Sequence, residues 1–68
     1  MRLNELDIPR SEIERLSDEW ILVVRNKSIF YKKLEGYTYE EIAEEYNLST
    51  VRIKEIVKEC LDKISKHI

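Results

Sequence analysis

Two helix-start signals stand eleven positions apart, at Thr38 and at Ser49, with the turn-forming Asn47 just ahead of the second. No other feature of the chain restricts the fold as far. Glu41 follows Thr38 at the spacing of a capping box, in which each side chain satisfies a free N–H of the first helical turn. Asn47 is, after glycine, among the residues best suited to a left-handed conformation, and Ser49 is a favoured cap for whatever helix follows. A short helix to about Tyr46, a turn of about three residues and a longer helix satisfy all of these marks at once. Ala43 is small enough for the two helices to cross closely. Tyr37 with Ile42, and Leu48 with Ile53, occupy the positions of hydrophobic staples. Beyond Ser49, the residues Ile53, Ile56, Val57, Cys60, Leu61 and Ile64 recur as one apolar stripe at helical spacing.

Upstream, Gly36 is the only glycine and sits where a helix containing Ile29, Phe30 and Leu34 has to stop. Ser11 with Glu14 has the form of another capping box, and Ile13, Leu16, Trp20 and Val24 keep a helical period after it. A first helix from about Pro9 to Val24 is expected, and Asn26 is the candidate cap of a second. Whether the chain breaks at Arg25–Asn26 stays open, because Ile21-Leu22-Val23-Val24 also suits a strand by propensity. No second strand is available to pair with it. The expectation is an all-α fold, a small bundle of three to four helices with a C-terminal helix-turn-helix. Residues 1–68 form one domain, with 9–35 as helical support and 38–66 as the helix-turn-helix.

At 68 residues the chain lies near the lower limit for folding by burial alone, which leaves little room for an enclosed substrate pocket. No nucleophile–base pair, metal-ligand set or phosphate-binding loop is visible, so neither an enzyme nor a cofactor is expected. Cys60 is the only cysteine and cannot form an internal disulfide; its place in the apolar stripe makes it a buried, inert thiol. His67 has no Cys or His partner at metal spacing and reads as incidental to a frayed end. Met1–Pro9 lacks the apolar stretch of a signal peptide, and the run Trp20–Val24 is far too short to span a membrane. A cytoplasmic protein is the expectation.

The net charge of −2 discourages nucleic-acid binding when taken as a sum, but its distribution does not. Residues 1–48 carry seven Lys/Arg against eleven Asp/Glu, whereas residues 49–68 carry five against three. Contact with DNA is therefore expected from the last helix. In a helix-turn-helix the first helix crosses the DNA backbone and the second enters the major groove. Steps of about 100° from Ile53, at the centre of the buried stripe, put Val51, Glu55, Lys58 and Asp62 near the opposite face with Lys54 beside them. Val51 suits a thymine methyl, Glu55 can accept from a cytosine amino group, and Lys54 or Lys58 can reach guanine or phosphate. Thr50 completes the set near the start of the helix. Ser49 leaves ordered backbone N–H groups that can meet a phosphate, Arg52 and Lys63 flank the face, and Tyr39 offers a backbone hydrogen bond. The carboxylates of Glu40, Glu41, Glu44 and Glu45 repel phosphates and limit how closely the preceding helix approaches DNA.

The segment Leu34-Glu35-Gly36-Tyr37-Thr38-Tyr39-Glu40-Glu41-Ile42-Ala43-Glu44-Glu45-Tyr46-Asn47-Leu48-Ser49 resembles the helix-turn-helix of the fourth conserved region of bacterial sigma factors. Val51-Arg52-Ile53-Lys54-Glu55-Ile56 and Cys60-Leu61 continue the likeness. Ile8-Pro9-Arg10-Ser11 with Ile13, Leu16 and Trp20 resembles small stand-alone sigma-region-four-like proteins of phages and prophages. The resemblance implies double-stranded DNA as a partner, RNA polymerase as a candidate second one, and a role in regulating transcription. It also marks departures. The family usually has glycine at the position of Asn47, Arg-Glu at Thr50-Val51, Gln at Glu55 and alanine at Cys60. The base-reading positions are among them, so a promoter preference does not carry over.

An alternative role is a protein-interaction module that docks on RNA polymerase or another regulator through its acidic half, with the helix-turn-helix as scaffold. Ile21, Leu22, Val23 and Val24 would point all round a helix, more than a small core can bury. Together with Trp20 they are the candidate surface for a homodimer or another partner.

Overall fold

The computed structural model describes residues 9–67. Ile8, counted in the resemblance above, lies outside them. Four helices follow in order, α1 (Arg10–Trp20), α2 (Val24–Leu34), α3 (Tyr39–Tyr46) and α4 (Thr50–Ser65), with no strand among the described residues. The fold is all-α and ends in a helix-turn-helix, as expected. α4 is the hub. It packs against each of the other three helices, most extensively against α2, and contributes Ile53, Ile56, Val57, Cys60, Leu61 and Ile64 to the core. Ile13 and Leu16 of α1, Ile29 and Phe30 of α2, and Ile42 and Ala43 of α3 close over that stripe. Among the described residues no helix is long and apolar enough to cross a membrane.

The start of α1 differs from expectation. Pro9, not Ser11, is the N-cap: its carbonyl accepts from the N–H groups of Glu12 and Ile13 at 3.0 and 3.2 Å. Ser11 is therefore already inside the first turn, without the extended backbone a cap requires. Glu14 does not reach back to it either; its Oε1 lies 3.4 Å from Arg10 Nε instead.

The end of α1 differs as well, and for a tertiary reason. The helix stops at Trp20, and Ile21 is extended at φ −98°, ψ 96°. One extended residue buries Ile21 in the core at 2% exposure while Leu22 stands 81% exposed. A continuous helix would have presented four large apolar side chains in all directions. α2 then starts at Val24 behind the extended Val23, so Asn26 is interior and caps nothing. Its Oδ1 accepts from Arg25, and its carbonyl lies 3.8 Å from Cys60 Sγ.

Polar bridges tie the helices together around the core. The Tyr31 hydroxyl of α2 donates to Asp18 Oδ1 of α1 at 3.1 Å, and Lys27 Nζ reaches the same oxygen at 3.2 Å. Burial first, and the Asp18 carboxylate second, push the Tyr31 hydroxyl up to about 12. Between α2 and α3, Ser28 Oγ meets the Tyr46 hydroxyl at 2.5 Å and Lys32 Nζ pairs with Glu45 Oε1 at 3.1 Å. Ser17 is fully buried in α1 and donates to the Ile13 carbonyl at 2.7 Å, so its hydroxyl is satisfied inside the core.

Candidate nucleic-acid interface

The helix-turn-helix is assembled by four backbone devices, each a few residues long. α2 ends in a Schellman turn: Gly36 N–H donates to the Lys33 carbonyl and Tyr37 N–H to the Lys32 carbonyl, with Gly36 at φ 101°. Two residues later the expected capping box is present. Thr38 Oγ1 accepts from Glu41 N–H at 3.1 Å, and Glu41 Oε1 accepts from Thr38 N–H at 2.9 Å. The Thr38 backbone N–H, followed by its hydroxyl, holds the Glu41 carboxyl below its ordinary value. α3 ends in a second Schellman turn, with Asn47 left-handed at φ 56°, ψ 43° and Leu48 N–H donating to the Ala43 carbonyl at 3.0 Å. Ser49 Oγ then accepts from Arg52 N–H at 3.1 Å and fixes the start of α4.

With the apolar stripe of α4 turned into the core, Val51, Arg52, Lys54, Glu55 and Lys58 are exposed and Thr50 is half-buried. Val51 is 65% exposed, so its side chain faces solvent rather than the core. Arg52, Glu55 and Lys58 make no side-chain hydrogen bond or ion pair among the described residues. Tyr39, at the first position of α3, is half-buried against the core. Its ring carries two ammonium groups: Lys33 Nζ at 4.2 Å from the centroid and Lys54 Nζ at 5.6 Å. Sequence reasoning placed Lys54 on this surface but missed Lys33, which belongs to α2 and arrives beside Tyr39 through the Gly36 turn. The available signal was a basic residue one turn ahead of the glycine that introduces the motif.

Four of the five residues of the apolar run are exposed, Trp20 at 42%, Leu22 at 81%, Val23 at 50% and Val24 at 75%. Ile21 is not: it is a core residue and cannot serve a partner surface. Trp20 also departs from expectation. It does not continue the buried stripe of α1 but stacks on His67, ring centroids 3.6 Å apart and planes 3° from parallel. His67 is thus not incidental. Cys60 is buried as expected, and burial pushes its thiol up to about 11. On α3, Glu40, Glu41, Glu44 and Glu45 are all exposed, and Glu45 is the one that forms an ion pair, with Lys32. Among the described residues no group of three or more His, Cys, Asp or Glu is gathered to hold a metal ion.

A compact α3–turn–α4 unit whose second helix buries one face and presents the other to solvent defines a helix-turn-helix domain. The model of the family described as Sigma-70, region 4 matches residues 17–66, and the chain belongs to that family. Domains of the family bind DNA and RNA polymerase. The match begins inside α1 and covers the three later helices completely. Comparison with curated proteins and comparison with solved structures each gave no match.

Proposed function

We propose that this protein is a sequence-specific DNA-binding regulator of transcription that lays α4 in the major groove. The observation that carries the reading is the division of α4 into two faces. One is wholly consumed by the core; the other presents Val51, Glu55 and Lys58 with no internal task. Val51 packs on a thymine methyl, Glu55 accepts from a cytosine amino group, and Lys58 reaches a guanine edge or a phosphate. Ser49 and Thr50 bring the N-terminus of α4, with its free N–H groups, to the DNA backbone, and Arg52 and Tyr39 add contacts that hold the register. The α1–α2 half is the support that fixes this pair of helices, in a single domain.

The test is a titration of labelled duplexes from the region around the protein's own gene, read by fluorescence anisotropy at two salt concentrations. Binding that weakens with salt, and is tighter for one fragment than for scrambled DNA, is the expected result. Lys58→Ala weakens it with the fold unchanged, and Glu55→Gln alters the preference between fragments. A parent protein that binds no duplex at low salt overturns the reading.

A second reading, favoured by the exposed Glu40, Glu41 and Glu44 on α3, is docking on RNA polymerase. It predicts retention of the purified polymerase on immobilised protein, lost in the Glu40→Gln/Glu44→Gln double variant. No retention by the parent removes this reading and leaves the first intact.

A further inference from the structure

We propose that Lys33 is a DNA-backbone residue: with Lys54 it grips one phosphate over the face of Tyr39. The inference rests on the DNA reading above and extends it to α2, a helix that a helix-turn-helix otherwise uses as support. Three features converge. Both ammonium groups lie over the same ring, which places them no more than about 10 Å apart although they come from different helices. Neither has a carboxylate within ion-pair distance among the described residues, whereas their neighbours on α2 are paired, Lys27 with Asp18 and Lys32 with Glu45. Between them lies an open depression of about 350 Å³, lined also by Thr38, Glu40 and Thr50.

Two ammonium groups on the rim of one depression repel each other weakly, and a single anion seated between them relieves that repulsion. The depression is shallow and open, which suits a phosphate carried on a polymer better than a small ligand that needs enclosure. Lys33 Nζ already donates to the Tyr37 carbonyl at 3.3 Å, and the ring beneath limits where the ammonium can go, so the donor is partly oriented before binding. Glu40, on the rim, works against a free anion. DNA anchored by α4 overcomes it, because the phosphate then arrives at high effective concentration. The same geometry assigns Lys54 a role. Turned back along α4 towards Tyr39, it serves the backbone rather than the base edges, and readout falls to Val51, Glu55 and Lys58.

The experiment measures the binding constants of the parent, Lys33→Gln, Lys33→Arg and Lys54→Gln for a preferred duplex and a scrambled one, across a salt series. Loss of one phosphate contact lowers the slope of log K against log salt by about 0.9, which near 0.15 M corresponds to about five-fold weaker binding relative to 1 M. Lys33→Gln is expected to show that loss equally on both duplexes, Lys33→Arg to keep the parent's slope, and Lys54→Gln to behave as Lys33→Gln. Melting curves of each variant separate a binding loss from an unfolding one. If the parent binds and Lys33→Gln matches it in affinity and slope, the phosphate grip is overturned while the DNA reading stands. A loss confined to the preferred duplex also overturns it, since Lys33 would then read bases. A parent that binds neither duplex overturns both.

Discussion

Gly36→Ala isolates the energy of a backbone conformation from that of packing. Gly36 holds φ 101°, and a β-carbon built there would meet nothing within 4 Å. Steric crowding by neighbours therefore contributes nothing, and the cost is that of an L-residue on the left-handed side, ~1–2 kcal/mol. Alanine also stiffens the unfolded chain, which returns ~0.4–1 kcal/mol. The net loss is about 1 kcal/mol, and a domain of this size loses ~4–8 °C in Tm for each kcal/mol. D-alanine at the same position reverses the sign. It prefers positive φ, keeps the stiffening of the unfolded chain, and is expected to stabilise by ~0.5–1 kcal/mol. A chain this short is accessible to chemical synthesis. Urea and thermal unfolding followed by far-UV circular dichroism give both numbers, with m-values checked for equality. An L-alanine variant as stable as the parent, or a D-alanine variant as damaged as the L form, refutes the reasoning.

Ser49→Ala removes the oxygen that accepts from Arg52 N–H and is expected to cost ~1 kcal/mol in urea unfolding; a loss of under a few tenths means that water replaces the cap. The carboxyls of Glu12, Asp18 and Glu41 are held below their ordinary values in the fold, by Arg15, by Lys27 with Tyr31, and by Thr38. Their contribution is complete above the unfolded carboxylate range and is lost as pH falls through the folded values. Urea midpoints should fall from about pH 5 downward, less steeply in Glu41→Gln; an unchanged slope removes Glu41 from the account. Cys60 is held at about 11 against 9.0 when free, so its share of stability is complete below pH 9.0 and lost as pH rises towards 11. Near neutral pH, alkylation by iodoacetamide should proceed only at the rate of unfolding, and a rate unaffected by urea contradicts the burial. His67→Ala uncovers one face of Trp20, so acrylamide should quench its fluorescence more strongly; equal quenching means that the stack does not persist in solution.

The helix-turn-helix was legible because its determinants are local. Thr38, Asn47 and Ser49 each act on backbone groups within a few residues of themselves, and those bonds form whatever the rest of the chain does. Steps of 100° likewise sorted α4 into its two faces, and Val51, Glu55 and Lys58 are exposed where the period puts them. The N-terminal half obeyed longer-range demands. Ser11 offered a good capping box, but Pro9, two residues earlier, had already started the helix. The break fell at Ile21–Val23 rather than Arg25–Asn26 because the core had room for one apolar side chain from that run, a tertiary fact without a local mark. Trp20 and His67 are 47 positions apart in the sequence and meet only in three dimensions. Lys33 escaped notice for the same reason, since its proximity to Tyr39 depends on how the Gly36 turn sets α2 against α3.

α4 is held by helices on several sides, and its outward positions alternate along the rod with the residues that lock it in place. An element so restrained is among the last to exchange its amide protons when a small domain fluctuates. The surface proposed for DNA is then preformed in the free protein, and association needs no segment to order on arrival. Encounter should proceed at the ~10⁵–10⁷ M⁻¹s⁻¹ of preformed surfaces, rising further where charge steers it. The same rigidity couples inside to outside. A substitution that repacks Ile56 or Val57 rolls the whole helix, carrying Val51 and Glu55 with it, so that affinity registers changes made entirely within the core.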